Sequence, residues 1–227
     1  MGDATPVRVV IADDQALIRT GLRMMIDGAP DLTVVAEAAT GTEAVRVTRS
    51  AQADLVLMDI RMPDLDGLAA TRQITAAADL TAVKVLILTT FEVDEYVFEA
   101  LRGGASGFLG KGAAPDVLLD AIRSVARGDA LLSPLATRSL ISRFLAQRDP
   151  GPPPVAGRLD VLTDREREVV ALAADGLSNA EIASCLGLSP LTVKTHANRA
   201  MAKLSVRDRA QLVILAYQTG LVRPPPA

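Results

Sequence analysis

Five side chains of the sequence could together carry out phosphoryl transfer, although they lie far apart along the chain. They are three carboxylates, a hydroxyl and an ammonium, from Asp13, Asp14, Asp59, Thr89 and Lys111. Neighbouring carboxylates repel each other unless a hard divalent cation such as Mg²⁺ neutralises them. Asp59 could then act as a covalent nucleophile on phosphorus, while Lys111 and Thr89 stabilise charge on the transferred oxygens. These residue types predict a magnesium-dependent phosphoryl-transfer site.

The elements that must position these residues are short β-branched runs alternating with helical patterns. The predicted strands are Val7–Ala12, Thr33–Ala36, Leu55–Met58, Val85–Thr89 and Gly107–Leu109. The first helical pattern places Leu17, Ile18, Gly21, Leu22, Met25 and Ile26 at helical spacing. Five strands alternating with five helices predict an α/β fold, a doubly wound five-stranded parallel sheet with helices on both faces. Reactive groups in such sheets collect beyond the carboxyl ends of the strands, so we expect the five side chains to meet there.

Each of these residues also has an ordinary structural interpretation when it is taken alone. Asp14 could cap the following helix, Asp59 could be a turn residue, and Lys111 could be solvated. The joint placement of these residues at strand ends favours the site.

Composition excludes several other chemistries. His196 is the only histidine, which argues against a Ser-His-Asp triad, a histidine-rich metal site or a histidine phosphorelay within the chain. Cys185 is the only cysteine, which excludes an internal disulfide and suits a reducing compartment. No run approaches the roughly 20 apolar residues of a membrane helix, and the first residues do not resemble a signal peptide. We therefore expect a cytoplasmic protein with no membrane partner.

A segment rich in proline and glycine, Arg148 to Arg158, divides two periodic regions and is typical of a domain linker. Charge differs on the two sides, with a net of −7 over residues 1–130 and +2 over residues 158–227. The sequence therefore predicts a domain over residues 1–128, a linker over 129–157 that includes a helix, and a second domain over 158–227.

Only helical patterns follow the linker. Thr163 with Glu166, and Ser178 with Glu181, form capping-box patterns, and Ser189 precedes a proline at the third helix start. Two short helices joined by a glycine-containing turn, the second with a basic face, indicate an all-α helix-turn-helix domain. The third helix has an apolar stripe of Val193, Ala197, Ala200 and Leu204. Its polar face could be merely solvated, but the preceding turn favours DNA binding.

Three stretches, VVIADDQALIRTGL, DLVLMDIRMPDLDGL and VLILTTFEVDEYVFEALRGGASGFLGK, resemble the receiver domain of bacterial two-component response regulators. The resemblance implies that a sensor histidine kinase phosphorylates Asp59. It also implies Asp14 as a direct Mg²⁺ ligand, Asp13 acting through water, and the backbone carbonyl of Arg61 as a further ligand. Lys111 would contact the phosphate, and Thr89 and Phe108 would be a switch pair in which Phe108 turns inward after phosphorylation. Gly112 departs from the family, which has Asp or Pro there.

The run LTDREREVVALAADGLSNAEIASCLGLSPLTVKTHANRAMAKLSV resembles the LuxR-type DNA-binding domain, so the whole chain is similar to NarL/FixJ-type response regulators. These are transcription factors rather than enzymes. The family usually has larger aliphatic residues at Ala197 and Ala200. The implied contacts to double-stranded DNA are Thr192, Lys194, Thr195, Asn198, Arg199 and Lys203. We expect a homodimer on activation, paired through an apolar stripe of the last helix, Leu212, Val213, Leu215 and Ala216.

The alternative function is a phosphatase of the haloacid-dehalogenase type, which also uses an aspartyl nucleophile. That family has a second Asp two residues after the nucleophile, where this chain has Arg61. The sequence therefore favours the regulator.

Overall fold

The structure is a computed structural model that describes residues 5–90, 94–128 and 159–222. The chain divides into two compact units, Met1–Leu131 and Leu132–Ala227, and each is described by itself. The linker predicted over residues 129–157, with its helix, lies outside the described residues. Within the described ranges, no helix combines the length and the apolar character that crossing a membrane requires.

The N-terminal unit alternates strands and helices in the predicted order. The strands are β1 (Val7–Ala12), β2 (Leu32–Ala38), β3 (Leu55–Met58), β4 (Lys84–Thr89) and β5 (Gly107–Gly110). The helices are α1 (Ala16–Asp27), α2 (Gly41–Ser50), α3 (Gly67–Ala76), α4 (Asp94–Arg102) and α5 (Pro115–Ala126), with a 3₁₀ turn at Ala78–Leu80. The strands form one parallel sheet in the order β2-β1-β3-β4-β5. The predicted fold class is confirmed.

Alternate strand residues bury their side chains on the two faces of this sheet. Val9 and Ile11 face a core that includes Leu22 and Ile26 of α1 together with Leu118 and other residues of α5. The apolar pattern of α1 misleads at one position, because 83% of Leu17 is exposed. Leu17 begins a second stripe with Thr20 and Met24, three and seven residues on, and both of these are also exposed.

The strand order places the ends of β1 and β3 side by side. The chain leaves β1 toward β2 at one edge of the sheet and then crosses back to β3 on the other side of β1. Ala12 and Met58, the last residues of β1 and β3, are paired in register. A parallel sheet opens a crevice where the direction of winding reverses, and Asp13 and Asp59 are the next residues on its two sides.

The C-terminal unit consists of four short helices, α6 (Asp164–Ala174), α7 (Asn179–Leu186), α8 (Pro190–Leu204) and α9 (Arg209–Gln218). Both predicted capping boxes are formed, at the starts of α6 and α7. Gly187 ends α7 with a φ of 64°, and the Ser189 hydroxyl accepts a hydrogen bond from the backbone of Thr192 at the start of α8. Such a left-handed cap followed directly by a new N-cap produces the sharp turn between the two helices.

The apolar stripe of α9 packs inside this unit. Leu212, Val213, Leu215 and Ala216 are at most 6% exposed. The neighbouring Tyr217 hydroxyl donates a hydrogen bond to the Ala174 carbonyl at 2.9 Å, which ties α9 to α6. These four side chains are therefore buried in the structure and are not exposed for pairing two copies, contrary to what the sequence had led us to expect.

Candidate functional site

The three carboxylates expected to meet do so beyond the ends of β1 and β3. One oxygen atom of each of Asp13, Asp14 and Asp59 lies within 4.8 Å of the others. Asp13 and Asp59 are buried, whereas Asp14 is exposed. The cluster therefore opens to solvent at Asp14, where a cation or a phosphoryl group can reach it.

The Lys111 ammonium binds both buried carboxylates. Its Nζ atom lies 2.6 Å from Asp13 Oδ2 and 2.9 Å from Asp59 Oδ2. The backbone N–H of Lys111 donates to the Thr89 carbonyl, which fixes the residue beside the end of β4. Only 9% of the Lys111 side chain is exposed, so the interpretation of this lysine as a solvated residue is wrong.

Burial and charge shift the pKa values of this group of side chains. Burial is the largest influence on Asp59 and raises its pKa, and the opposing effect of the Lys111 ion pair does not cancel it. Burial acts to lower the pKa of Lys111, but hydrogen bonds to Asp13 and Asp59 outweigh it and the pKa is raised. The ammonium therefore stays charged and faces the oxygen atoms where negative charge would develop.

Backbone N–H groups hold the other oxygen atoms of the buried carboxylates. Asp59 Oδ1 accepts from the Ile60 N–H at 2.8 Å, and Asp13 Oδ1 accepts from the Gln15 N–H at 2.9 Å. Gln15 is the N-cap residue of α1, and no side chain caps that helix, so Asp14 is not the helix cap that its position allowed. The Asp14 carboxylate remains the exposed member of the cluster.

Gly67 allows α3 to begin directly against the backbone of Asp59. A Cβ atom at Gly67 would lie 1.8 Å from the Asp59 carbonyl oxygen, and the Gly67 N–H donates to the Ile60 carbonyl. Gly41 is similar, because its Cβ atom would lie 2.1 Å from the Leu65 carbonyl oxygen. Sequence reasoning missed both glycines, since their close contacts are with residues on other elements.

Gly67→Ala is expected to slow phosphoryl acceptance about tenfold, because either α3 or the Asp59 backbone must move to admit the methyl group. The measurement is the initial rate of labelling by a small phosphodonor with Mg²⁺. Gly21→Ala is the control, since a Cβ atom at Gly21 meets nothing within 4 Å. Equal rates for the two variants would contradict the role of Gly67.

Arg19 braces the loop that carries Asp13 and was also missed from the sequence. Its guanidinium donates to the Asp13 carbonyl at 2.7 Å and to the Glu37 carboxylate at 3.2 Å. Arg23 binds the same carboxylate, and this hydrogen bond is the main cause of the lowered pKa of Glu37. The acidic loop is thus held from α1 and β2 as well as by Lys111. The only sequence signal was a pair of arginines on the helix that follows the aspartates.

A cleft of about 540 Å³ opens beside the acidic cluster. Its lining includes Asp14, Arg61 and Tyr96, and the Arg61 guanidinium donates to the Tyr96 hydroxyl at 3.5 Å. Arg61 therefore lies next to the carboxylates, as its implied role as a backbone ligand requires. Residues of the β3–α3 loop and of α4 line the cleft, and it can admit a group that approaches Asp59 from solvent.

The implied switch pair is buried. Thr89 is 1% exposed at the end of β4, and Phe108 is 5% exposed on β5. The Phe108 side chain is thus already turned inward in this structure, and its coupling to phosphorylation stays a prediction. Thr89 is the last residue of β4, and its backbone carbonyl accepts the hydrogen bond from the Lys111 N–H.

Helix α8 separates an apolar side from a polar side, as predicted. Val193, Ala197, Ala200 and Leu204 are buried. Of the residues predicted to contact DNA, Thr195, Asn198 and Arg199 are exposed, while Thr192 and Lys194 are partly buried. The hydroxyl groups of Thr192 and Thr195 also bind within the helix, to Ser189 and to the Leu191 carbonyl. The exposed residues lie on the side of α8 away from the buried stripe, where their side chains can approach a groove.

Lys203 differs from the other predicted DNA contacts. Its Nζ atom lies 2.6 Å from Glu166 Oε2, and only 4% of the Glu166 side chain is exposed. The same carboxylate oxygen accepts the Thr163 N–H in the capping box of α6. Lys203 therefore compensates a buried charge and joins α8 to α6, while its predicted contact to DNA stays a prediction.

Lys203→Met is expected to lower the free energy of unfolding of the C-terminal unit by about 1 kcal/mol, less than for a fully buried pair because 37% of Lys203 is exposed. Burial acts to raise the pKa of Glu166, but Lys203 and Thr163 outweigh it and the pKa is lowered. The stabilisation is therefore present above the usual pKa of 4.5 and is lost as pH falls through the folded-state pKa.

Urea unfolding of the full chain, with hydrogen exchange of the α6 amides, would measure the loss at neutral pH and at acid pH. Arg199→Met is the matched control, since it removes a charge from the exposed side of the same helix. A loss that is equal in the two variants, or that does not shrink in acid, would contradict the role of Lys203.

Comparison with known proteins agrees with both units. Residues 9–123 match the family model of the response regulator receiver domain, and residues 160–216 match that of bacterial regulatory proteins of the luxR family. The transcriptional regulatory protein YxjL of Bacillus subtilis is 40% identical over 96% of this chain and 98% of its own length. The response regulator protein VraR of Staphylococcus aureus is 36% identical over 96% of this chain and 99% of its own.

Solved structures show the same architecture. The response regulator ChrA of a heme-sensing two-component system is 33% identical, with a TM-score of 0.52, covering 96% of this chain and all of its own. A LuxR-family response regulator from Aurantimonas is 32% identical over 62% of this chain and 99% of its own, with a TM-score of 0.57. The chain therefore belongs to the two-component response regulators that join a receiver domain to a LuxR-type DNA-binding domain and regulate transcription.

Proposed function

We propose that Asp59 is the phosphoacceptor of this response regulator and that a sensor histidine kinase supplies the phosphoryl group. The observation that carries the proposal is the position of Asp59, which is buried beside Asp13 and bound to the Lys111 ammonium at the carboxyl edge of the sheet. In the transfer, an Asp59 carboxylate oxygen forms a bond to phosphorus while the bond from phosphorus to the donor imidazole nitrogen breaks. The imidazole then takes up a proton, so the charges balance.

The acidic cluster fits a Mg²⁺ ion. Its ligands would be the carboxylates of Asp13, Asp14 and Asp59 together with the Arg61 backbone carbonyl, and oxygen atoms are the ligands that Mg²⁺ takes. Three carboxylates facing one ammonium leave an excess of negative charge, which a divalent cation offsets. When bound, the ion would supply further neutralisation of the phosphoryl oxygens. Asp13 is also held by the Gln15 N–H and by Lys111, which suits contact with the ion through water.

Lys111 and Thr89 act on the transferred group in this proposal. The Lys111 ammonium now bound to Asp59 would follow the charge onto a phosphoryl oxygen, because that oxygen becomes the nearest strong acceptor. Thr89 lies at the end of the neighbouring strand and would donate its hydroxyl to another phosphoryl oxygen. Movement of Thr89 would then change the surface of β4 and α4, while Phe108 would adjust within the core where it already lies.

The output of this proposed switch is binding to double-stranded DNA. In the cytoplasm, a homodimer of the protein would place the α8 helix of each copy on one promoter half-site. Support comes from the exposed polar side of α8 and from the helix-turn-helix geometry of α7 and α8. The dimer contact is not the α9 stripe, which is buried. The acceptance of a phosphoryl group is stoichiometric, so we do not propose a turnover enzyme.

The deciding experiment combines a labelled phosphodonor, Mg²⁺ and the full chain. About one equivalent of label retained on the protein, with DNA affinity raised by the modification, supports the regulator. A coupling of 1–3 kcal/mol corresponds to about 5- to 150-fold in affinity. Multiple turnover of a generic phosphoester without retained label would support the phosphatase alternative instead. Retained label with unchanged DNA affinity would contradict the proposed switch.

A further inference from the structure

Leu191, in the first turn of α8, exposes 74% of its surface. In the described part of the C-terminal unit, the other large apolar residue of this kind is Val161, at 51%. Single apolar side chains are common on protein surfaces, so exposure alone indicates nothing. The position of Leu191 on its helix is what distinguishes it.

Leu191 points away from the core at the centre of the polar side of α8. At about 100° per residue, Leu191 lies roughly 180° from Ala200 and roughly 150° from the centre of the buried stripe. Thr195 and Asn198 follow it by one and two turns, and both are exposed. Lys194 and Arg199 fall on its two sides, so that basic side chains border a stripe whose first member is apolar.

This arrangement matches the edge of a base pair better than it matches water or a phosphate. The N-terminal residues of a recognition helix contact base edges in the major groove, while basic residues beside them reach the backbone. Leucine can make no hydrogen bond to a base. Thymine is the one base that presents a methyl group in the major groove, whereas cytosine presents an amino donor there that leucine would leave unsatisfied.

We propose that Leu191 contacts the C5 methyl group of a thymine in the major groove and so selects thymine at one position of each half-site. The inference rests on the proposed DNA-binding function of α8 and adds a specificity-determining residue to it. The contact stabilises the complex by removing apolar surface of both partners from water, and the Leu191 side chain is already exposed for it in the unbound protein.

The test begins with selection of binding sites from a random duplex library by the full chain, treated with beryllofluoride and Mg²⁺. Each thymine of the selected site is then replaced by deoxyuridine, which pairs identically but lacks the methyl group. For the wild type, we expect one thymine per half-site at which this replacement weakens binding about three- to fivefold, the value of burying one methyl group. Leu191→Ala should bind both forms equally at that position.

Val161→Ala is the matched control, because it also shortens an exposed apolar side chain but lies outside α8, and it should retain the wild-type difference. A wild type that tolerates deoxyuridine everywhere, or a Leu191→Ala protein that still distinguishes it, would overturn the inference while leaving DNA binding intact. A selection that enriches no sequence would instead reject the proposed function, and the inference with it.

Discussion

Asp59→Asn is expected to abolish the acceptance of a phosphoryl group. The asparagine nitrogen and oxygen can preserve the packing at this buried position and can still meet Ile60 and Lys111, but an amide is not a nucleophile toward phosphorus. Labelling should therefore fall to background under a small phosphodonor with Mg²⁺.

Asp54→Asn provides the matched control for this prediction. Asp54 precedes β3 and Asp59 follows it, so the two carboxylates lie at opposite ends of one strand. Asp54 accepts a hydrogen bond from the Arg8 backbone and is exposed. The Asp54→Asn protein should accept label at the wild-type rate and to the wild-type extent. Label that persists in the Asp59→Asn protein, mapped by mass spectrometry to another carboxylate, would assign the phosphoacceptor elsewhere.

The fold could be predicted from the sequence because the periods of its elements are distinct. Buried parallel strands such as Leu55–Met58 are continuous apolar runs, whereas the helices repeat at three and four residues. The capping residues Thr163, Ser178 and Ser189 are local signals, and the structure places each at a helix start. The pairing of strand ends then follows from the parallel topology, so the meeting of Asp13 with Asp59 could also be predicted.

The features that could not be predicted from the sequence are those that depend on contacts between residues far apart in the chain. In the sequence, the apolar stripe of α9 and the basic residue Lys203 both look like surface features. In the structure, the α9 stripe is buried, and Lys203 binds the buried carboxylate of Glu166. Gly67 and Arg19 are the opposite case, since they support the acidic site through backbone atoms of Asp59 and Asp13. A backbone partner leaves no complementary residue type for sequence reasoning to find.

Lys194→Ala and Asn198→Ala are expected to weaken operator binding in different ways, and the double variant should lose most of the specific affinity. A lysine that binds a phosphate contributes about one unit to the slope of log affinity against log salt, so its loss should flatten that slope. Asparagine can bind adenine through two hydrogen bonds, worth about 1–3 kcal/mol of discrimination, so its loss should relax the preference at one base pair. Titration of the selected site at several salt concentrations separates the two effects.

Lys203→Ala distinguishes a contact to DNA from a contribution to folding. Because the Lys203 ammonium binds the buried Glu166, its removal should destabilise α6 while leaving the salt slope of the folded protein unchanged. Lys194→Ala should flatten the salt slope, since Lys194 lies beside the exposed residues of α8. If Lys194→Ala, Asn198→Ala and Lys203→Ala all bind the site with the wild-type affinity and salt slope, this side of α8 does not contact DNA. If Lys203→Ala alone flattens the slope, the DNA surface lies nearer the end of α8 than the exposed stripe indicates.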